Sequence, residues 1–380
     1  MTTFHPYYRK DRRRWEVRIE PGRDASGKRR YMQVTTPKDK NTKAEANRIG
    51  RRIVNELEAG TYVEPTNITF GEYMRSHHVE HARHHTAARV HESSGYLLEA
   101  HIIPALGAIK LSQLRPADLQ RYYAAQLDSG LAPSSVRKDH NAIHSALKHA
   151  VMMRMLATNP ADFVTPPRVT RTEMKFLDEK ESTAMLRAAQ GSSLYMALML
   201  ALGTGMRRGE MLGLRWSDVD LDGAALTVNQ TLQEAYGEII FKEPKTTRSR
   251  RRITLPGVVV DALRVHRAEQ AKKTLAREPG YALSDLVLAA PRGGPWWPYN
   301  LDRMWRKFKA KQGLEIRFHD LRHTHATQLL KAGVHPKVVS ERLGHASIGI
   351  TLDTYSHVMP GMQEEAAEKI DAGLRAALAG

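Results

Sequence analysis

Residues Leu194 to Leu202 are apolar on every side of a helix, so that helix has to be enclosed by other elements. Gly203-Thr204-Gly205 breaks it, and Arg207 emerges at the start of the next helix. A chain with this pattern must build a core around 194–202 and carry a cation on its rim, in a frame stiff enough to fix that cation. At 380 residues the chain is too long for one such core and is expected to form two or three domains. No apolar run approaches the length of a membrane span.

Periodicity divides the rest. Trp15-Glu16-Val17-Arg18-Ile19 and Tyr31-Met32-Gln33-Val34-Thr35 alternate as half-buried strands do, with turn chemistry at Asp24-Ala25-Ser26-Gly27-Lys28 between them. Thr42-Lys43-Ala44-Glu45 is a capping box, followed by Ala46, Ile49, Ile53 and Leu57 at helical spacing, so a small sheet plus a helix is expected over 1–62. Glu64-Pro65-Thr66 reads as a linker. Residues 66–165 read as a helical domain. One helix starts at Thr69-Phe70-Gly71-Glu72, others cover Ser93 to His101 and Pro116 to Leu127, and a long one opens at Ser134-Ser135-Val136 and stops at Asn159-Pro160. After a basic linker that begins Pro166-Pro167-Arg168, Asp178 and Glu181 cap the first helix of a third domain, 174–380, where Leu226 to Asn229 and Arg252 to Leu255 alternate as strands. The expected class is therefore α+β: mainly helical and multi-domain, with a small N-terminal β-sheet-plus-helix domain, a helical domain and a mixed α/β domain.

Fifty-eight Lys and Arg against 41 Asp and Glu give a net charge of +17, spread over the whole chain. That excess favours a polyanionic partner, although a ribosomal or membrane-surface protein would share it. Basic groups gather at Arg12, Arg13, Arg14, Lys28, Arg29 and Arg30 in the first unit, and at Arg137, Lys138, His140 and Lys148 on the long helix. A third group, Arg248, Arg250, Arg251 and Arg252, precedes the last strand. Phosphate contact is the reading preferred for all three groups over a merely solvated face. Zero cysteines exclude disulfides, thiolate metal sites and cysteine nucleophiles. Histidines 77, 78, 81, 84, 85, 91 and 101 crowd the helical domain, and His81 and His85 stand four apart. No cysteine or carboxylate completes a metal motif there, so no metal or cofactor is expected and these histidines are placed on the surface. Trp296 and Trp297 are expected to pack in a core or interface. Met1 to Tyr8 contain no apolar core segment, which suits a cytoplasmic protein.

Three more boxes join Arg207 and its neighbour Glu210. His319 and Arg322 lie three residues apart and so share a helix face; His345 follows Gly344; Tyr355 comes ten residues later. Two guanidiniums, two imidazoles and a phenol are the groups needed to attack a phosphodiester: cations for the non-bridging oxygens, imidazoles for protons, the phenol as nucleophile. No nucleotide-binding Gly-x-x-x-x-Gly-Lys loop is present.

In order and spacing these boxes resemble the tyrosine recombinases of the phage integrase family, and the first two units are similar to that family's arm-binding and core-binding domains. Gly349 departs from the hydroxyl residue common in the family. The resemblance implies a site-specific DNA recombinase, nucleoid-associated in a bacterial host, that integrates and excises a mobile element through a 3′-phosphotyrosine. It implies Tyr355 as nucleophile, Arg207 and Arg322 on the phosphate, His345 as a further donor and His319 as shuttle for the tyrosine proton. Lys245 would protonate the leaving oxygen, and Glu210 would orient its neighbours. It further implies double-stranded attachment-site DNA of core and arm type as partner, a homotetramer on that DNA, room for an accessory DNA-bending or directionality factor, and no membrane. The amphipathic tail from Pro360, with Ile370, Leu374 and Leu378, would pack on a neighbouring subunit or on its own core. A type IB topoisomerase would use the same five groups, and a non-catalytic regulator would explain the charge but not the tyrosine box.

Overall fold

The computed structural model describes residues 2–23, 29–59, 62–63, 67–170, 174–243, 250–276, 284–355 and 362–378. The chain divides into two compact units, Met1–Thr170 and Arg171–Gly380. The one boundary between them lies after Thr170, and Glu64, Pro65 and Thr66 lie outside the described residues.

The first unit contains two separate apolar cores. In one, strands β1 (Thr3–Arg9), β2 (Arg14–Arg23) and β3 (Arg29–Thr35) form an antiparallel sheet in the order β1-β2-β3. Helix α1 (Lys43–Glu58) begins at Thr42, whose side chain accepts from the Glu45 N–H, and its Ala46, Ile49 and Ile53 pack with Val17 and Ile19 of β2. β2, β3 and α1 lie where their periodicity predicts, and β1 lacks the clean alternation of its neighbours. Arg12 and Arg13 stand in the turn before β2, with Arg12 against Glu16 at 3.6 Å. Lys28 lies outside the described residues.

The second core is helical. Helix α2 (Phe70–Ser76) carries the Thr69/Glu72 capping box. A π-helical turn over His77–Ala82 leads into the short α3 (Arg83–His85), and a second one, Leu98–Ile102, joins α4 (Ala88–Leu97) to α5 (Ile103–Leu106). Helices α6 (Pro116–Asp128) and α7 (Pro133–Met152) complete it around Phe70, Ile102, Leu119, Tyr123, Ile143 and Leu147. Two buried polar pairs fix α6 on α7: Tyr122 donates to Asp139 at 2.8 Å, and Tyr123 bonds the His140 ring at 2.9 Å. His140 is therefore a packing residue and not, as expected, a phosphate contact. Lys138 and Lys148 are exposed and Arg137 is half-buried. His84 and His85 are exposed as expected, but His77, His78, His81, His91 and His101 are less solvated. His91 is buried and stacked on His78 at 3.8 Å between ring centroids, and His77, His81 and His149 pack ring against ring. Helical spacing accounts for His77 on His81, whereas packing between elements brings His91 onto His78 and His149 of α7 onto His77 and His81.

The second unit starts with α8 (Glu179–Ala189), capped reciprocally by Asp178 and Glu181. Its core surrounds α9 (Tyr195–Thr204), buried as the sequence requires, with Trp296 and Trp305 among its walls. After α10 (Arg208–Leu212) come β4 (Val219–Asp220) and β5 (Ala225–Val228), which pairs antiparallel with β8 (Arg251–Thr254). Between them stands a hairpin, β6 (Thr231–Ala235) and β7 (Glu238–Lys242), turning through Tyr236 and Gly237 at φ 55° and 72°. Helices α11 (Gly257–Leu275), α12 (Pro298–Gln312), α13 (Asp320–Lys331), α14 (Pro336–Leu343), α15 (Ile348–Tyr355) and α16 (Met362–Leu378) follow. Among the described residues no helix is long and apolar enough to cross a membrane.

Candidate active site

Helix α9 delivers the first group. It ends at Gly205, whose φ of 66° is left-handed and where a Cβ would stand 2.6 Å from the His325 ring and 2.7 Å from Leu343. Only glycine fits there, and the reversal leads directly to Arg207, the N-cap of α10. Glu210 accepts from the Arg207 backbone N–H at 2.8 Å and from its guanidinium at 2.9 Å. One carboxylate thus caps the helix and aims the cation.

Glu210 has a second partner. Arg251 donates to its two carboxylate oxygens at 2.8 and 3.2 Å and to the Arg342 carbonyl at 2.7 Å. Burial alone would raise the glutamate, but the bonds from Arg251 and the charges of Arg251 and Arg207 outweigh it and hold it down at about 2. This overturns the reading of Arg251 as a phosphate contact. It is 9 % exposed because β8 alternates inward and outward, so Arg251 shares the buried face with Ile253. Arg250 and Arg252 do reach solvent, beside Glu243 and Asp220 at 3.3 Å each. Lys245 and Arg248 lie outside the described residues.

The Glu210 cluster makes a pH prediction. Its folded pKa of about 2 is below the ordinary 4.5, so the stabilisation is complete above pH 4.5 and disappears as pH falls from there toward 2. The difference corresponds to about 3 kcal/mol. Glu210→Gln, which leaves Arg251 buried without its counter-charge, should lower stability by about that much at pH 7 and flatten the acid limb of a denaturation series. An acid limb identical to that of the unaltered protein would sink the assignment.

Helix α13 delivers three more groups. Arg322 is 4 % exposed and donates to the Gly205 carbonyl at 2.6 Å and the Leu343 carbonyl at 2.8 Å. Burial and the adjacent Arg207 both work against its charge, a tension that an arriving anion relieves. His319, at the helix start, is lowered by burial and by Arg322. His323 stands one turn further on, and its Nδ1 lies 2.6 Å from the Tyr355 hydroxyl. His325 points the other way, its Nδ1 2.6 Å from the Leu202 carbonyl and its Nε2 accepting from Arg342 at 3.0 Å.

His345 follows Gly344, which closes α14 at φ 68°. Its Nδ1 bonds the Thr351 hydroxyl at 2.8 Å, and burial with Arg322 and Arg207 pushes it down to about 4. Tyr355 ends α15, is 2 % exposed, and is pushed up to about 12 by burial. Arg207, His319, Arg322, His323, His345 and Tyr355 line one cavity of about 410 Å³. Two guanidiniums, neutral imidazoles and a phenol facing a common space suit an anion of phosphate size that is attacked by oxygen. Arg208, next to Arg207, pairs with Asp302.

Residues 175–361 match the family model described as the phage integrase family, and residues 69–125 match that of the phage integrase N-terminal SAM-like domain. The chain is 29 % identical to a protein named tyrosine recombinase XerC-like from Caldanaerobacter subterraneus subsp. tengcongensis, over 96 % of this chain and 97 % of the relative. Its fold is similar to that of the Tn1549 transposon integrase solved with a circular intermediate DNA (TM-score 0.67, 20 % identity, 80 % of this chain and 99 % of the other). A lambda integrase tetramer bound to a Holliday junction is similar at TM-score 0.58 and 18 % identity, covering 92 % of this chain and 94 % of that one.

Proposed function

Because the chain belongs to the phage integrase family, we propose that it is a site-specific DNA recombinase that cuts and rejoins the attachment sites of a mobile element through a 3′-phosphotyrosine. The observation that carries this reading is the convergence of Arg207, Arg322, His319, His345 and Tyr355 on one cavity. Tyr355 attacks the scissile phosphate while Arg207 and Arg322 hold its non-bridging oxygens and stabilise the charge of the transition state. His345, with Nδ1 engaged by Thr351, presents Nε2 to the phosphate, and His319 stands beside Arg322 as a further hydrogen-bonding group. Lys245 is assigned the proton for the departing 5′ oxygen. The bond energy is kept in the phosphotyrosine, so the reaction needs neither ATP nor a metal.

The division into an arm-type domain 1–62, a core-binding domain 66–165 and a catalytic domain 174–380 belongs to the same proposal, with the two separate cores of the first unit in its favour. So does a tetramer on DNA. Ile370, Leu374 and Leu378 of α16 are exposed, which suits a tail that covers its apolar stripe on another subunit.

The test is a duplex nicked near the cleavage point and labelled on the strand that ends in the scissile phosphate. Incubation in EDTA should yield protein joined covalently to the 3′ end. Adduct that forms only with added divalent cation, or that is joined to the 5′ end, would remove the reading.

A further inference from the structure

The tyrosine must lose a proton as it attacks, and the geometry of its hydroxyl points to the group that takes it. Tyr355 is almost wholly buried and its oxygen meets one described side chain at hydrogen-bond distance, His323 at 2.6 Å. The two rings are tilted by 53° with centroids 5.7 Å apart, so the contact is a hydrogen bond between their edges and not a stack. His319, His323 and Arg322 share the face of α13 that opens on the cavity, and the His319 ring stands edge-on to His323 at 5.3 Å. Resting on the recombinase reading, we propose that His323, in place of His319 to which the family resemblance gives the tyrosine proton, is a catalytic residue, the general base that receives the Tyr355 proton in cleavage and returns it in resealing.

The step balances. The Tyr355 O–H bond breaks and its proton moves to His323 Nδ1. The freed electron pair makes the oxygen–phosphorus bond, and the phosphorus–O5′ bond breaks toward O5′, which takes up the proton assigned to Lys245. Resealing runs the same transfers backwards.

Electrostatics leave His323 unprotonated, with its nitrogen open to the phenol. Buried tyrosine with a pKa of about 12 leaves only about one phenol in 10⁵ ionised at pH 7, so unassisted attack is slow. Burial, then the neighbouring His319, keeps His323 down at about 4, hence neutral and able to accept. The cationic groups facing it, Arg322 and Arg317, lower it further, while Asp320 opposes them. A phosphate dianion-like transition state in the cavity adds negative charge beside the ring and raises its basicity, so the base gains strength as the substrate arrives.

The experiment uses the full chain in single-turnover cleavage of the nicked duplex, with His323→Asn and His323→Ala beside the unaltered protein and Tyr355→Phe. Asparagine can still bond the phenol near the Nδ1 position but is no base. Expected for His323→Asn is a cleavage rate about 10²-fold lower, with DNA binding by gel shift and melting temperature unchanged. Its rate should then climb with pH between 6 and 9, as the phenolate fraction grows, more steeply than that of the unaltered protein. Two results overturn the proposal: cleavage by His323→Asn at the unaltered rate, or a slowed variant whose pH profile keeps the original shape, which marks a purely structural contact. Should His323→Ala fail to fold, His323→Asn alone decides. An adduct surviving in Tyr355→Phe would instead sink the nucleophile assignment, so the two failures are told apart.

Discussion

Tyr355→Phe should leave no covalent protein–DNA product, a loss of at least about 10⁴-fold in cleavage, with DNA affinity unchanged. The substitution removes one oxygen from a side chain that is 2 % exposed and fills the end of α15 against the Ala326, Leu330, Val339 and Leu343 cluster. The phenyl ring keeps that packing. What is lost structurally is the bond to His323, worth about 1 kcal/mol, so the protein should still fold and bind. The measurement is paired: gel-resolved adduct on the nicked duplex and affinity for the intact one. Adduct at an undiminished level would mean that another residue attacks.

Arg322→Lys should cost about 10²- to 10³-fold in cleavage although the charge is retained. The guanidinium spends one nitrogen on the Gly205 carbonyl and another on the Leu343 carbonyl, which pins its plane before any phosphate arrives. An ammonium cannot meet both carbonyls and also a pair of phosphate oxygens. A buried carbonyl would lose its donor, so a drop of about 1–3 kcal/mol in stability should accompany the lost rate. Denaturation and single-turnover kinetics on the same sample separate the two. Cleavage at the unaltered rate would remove Arg322 from the chemistry.

Much of this was legible in the chain itself. The enclosed helix Leu194 to Leu202, the glycine break and the three-residue interval between His319 and Arg322 depend on local periodicity, and local periodicity is what a sequence displays. Arg251 was misplaced because a run of arginines looks solvated and its partner, Glu210, is distant in sequence. A signal was nevertheless there: on an alternating strand, Arg251 had to point the same way as Ile253. His323 belongs to no motif box, yet it stands one turn from His319 on the same face, and that spacing was its signal. His140 was misread because its partner Tyr123 sits on another helix, and no local pattern says which of two adjacent polar residues turns inward. The β6–β7 hairpin was hidden by its brevity, with Tyr236-Gly237 as its sole turn signal.

The arginines around the site share an unusual habit of bonding. Arg207 holds the carbonyl of Gly344, Arg251 that of Arg342, Arg322 those of Gly205 and Leu343, and Arg342 those of Gly203 and Thr254. Carbonyls are common to all twenty amino acids, so these anchors survive replacement of the side chains that happen to stand beside them. Evolution is thereby left free to change the side chains of the residues that supply these carbonyls without disturbing where positive charge sits. What it cannot rewrite is the route of the main chain through Gly205 and Gly344. The chemistry is anchored to a path, and the lettering along that path is open to change.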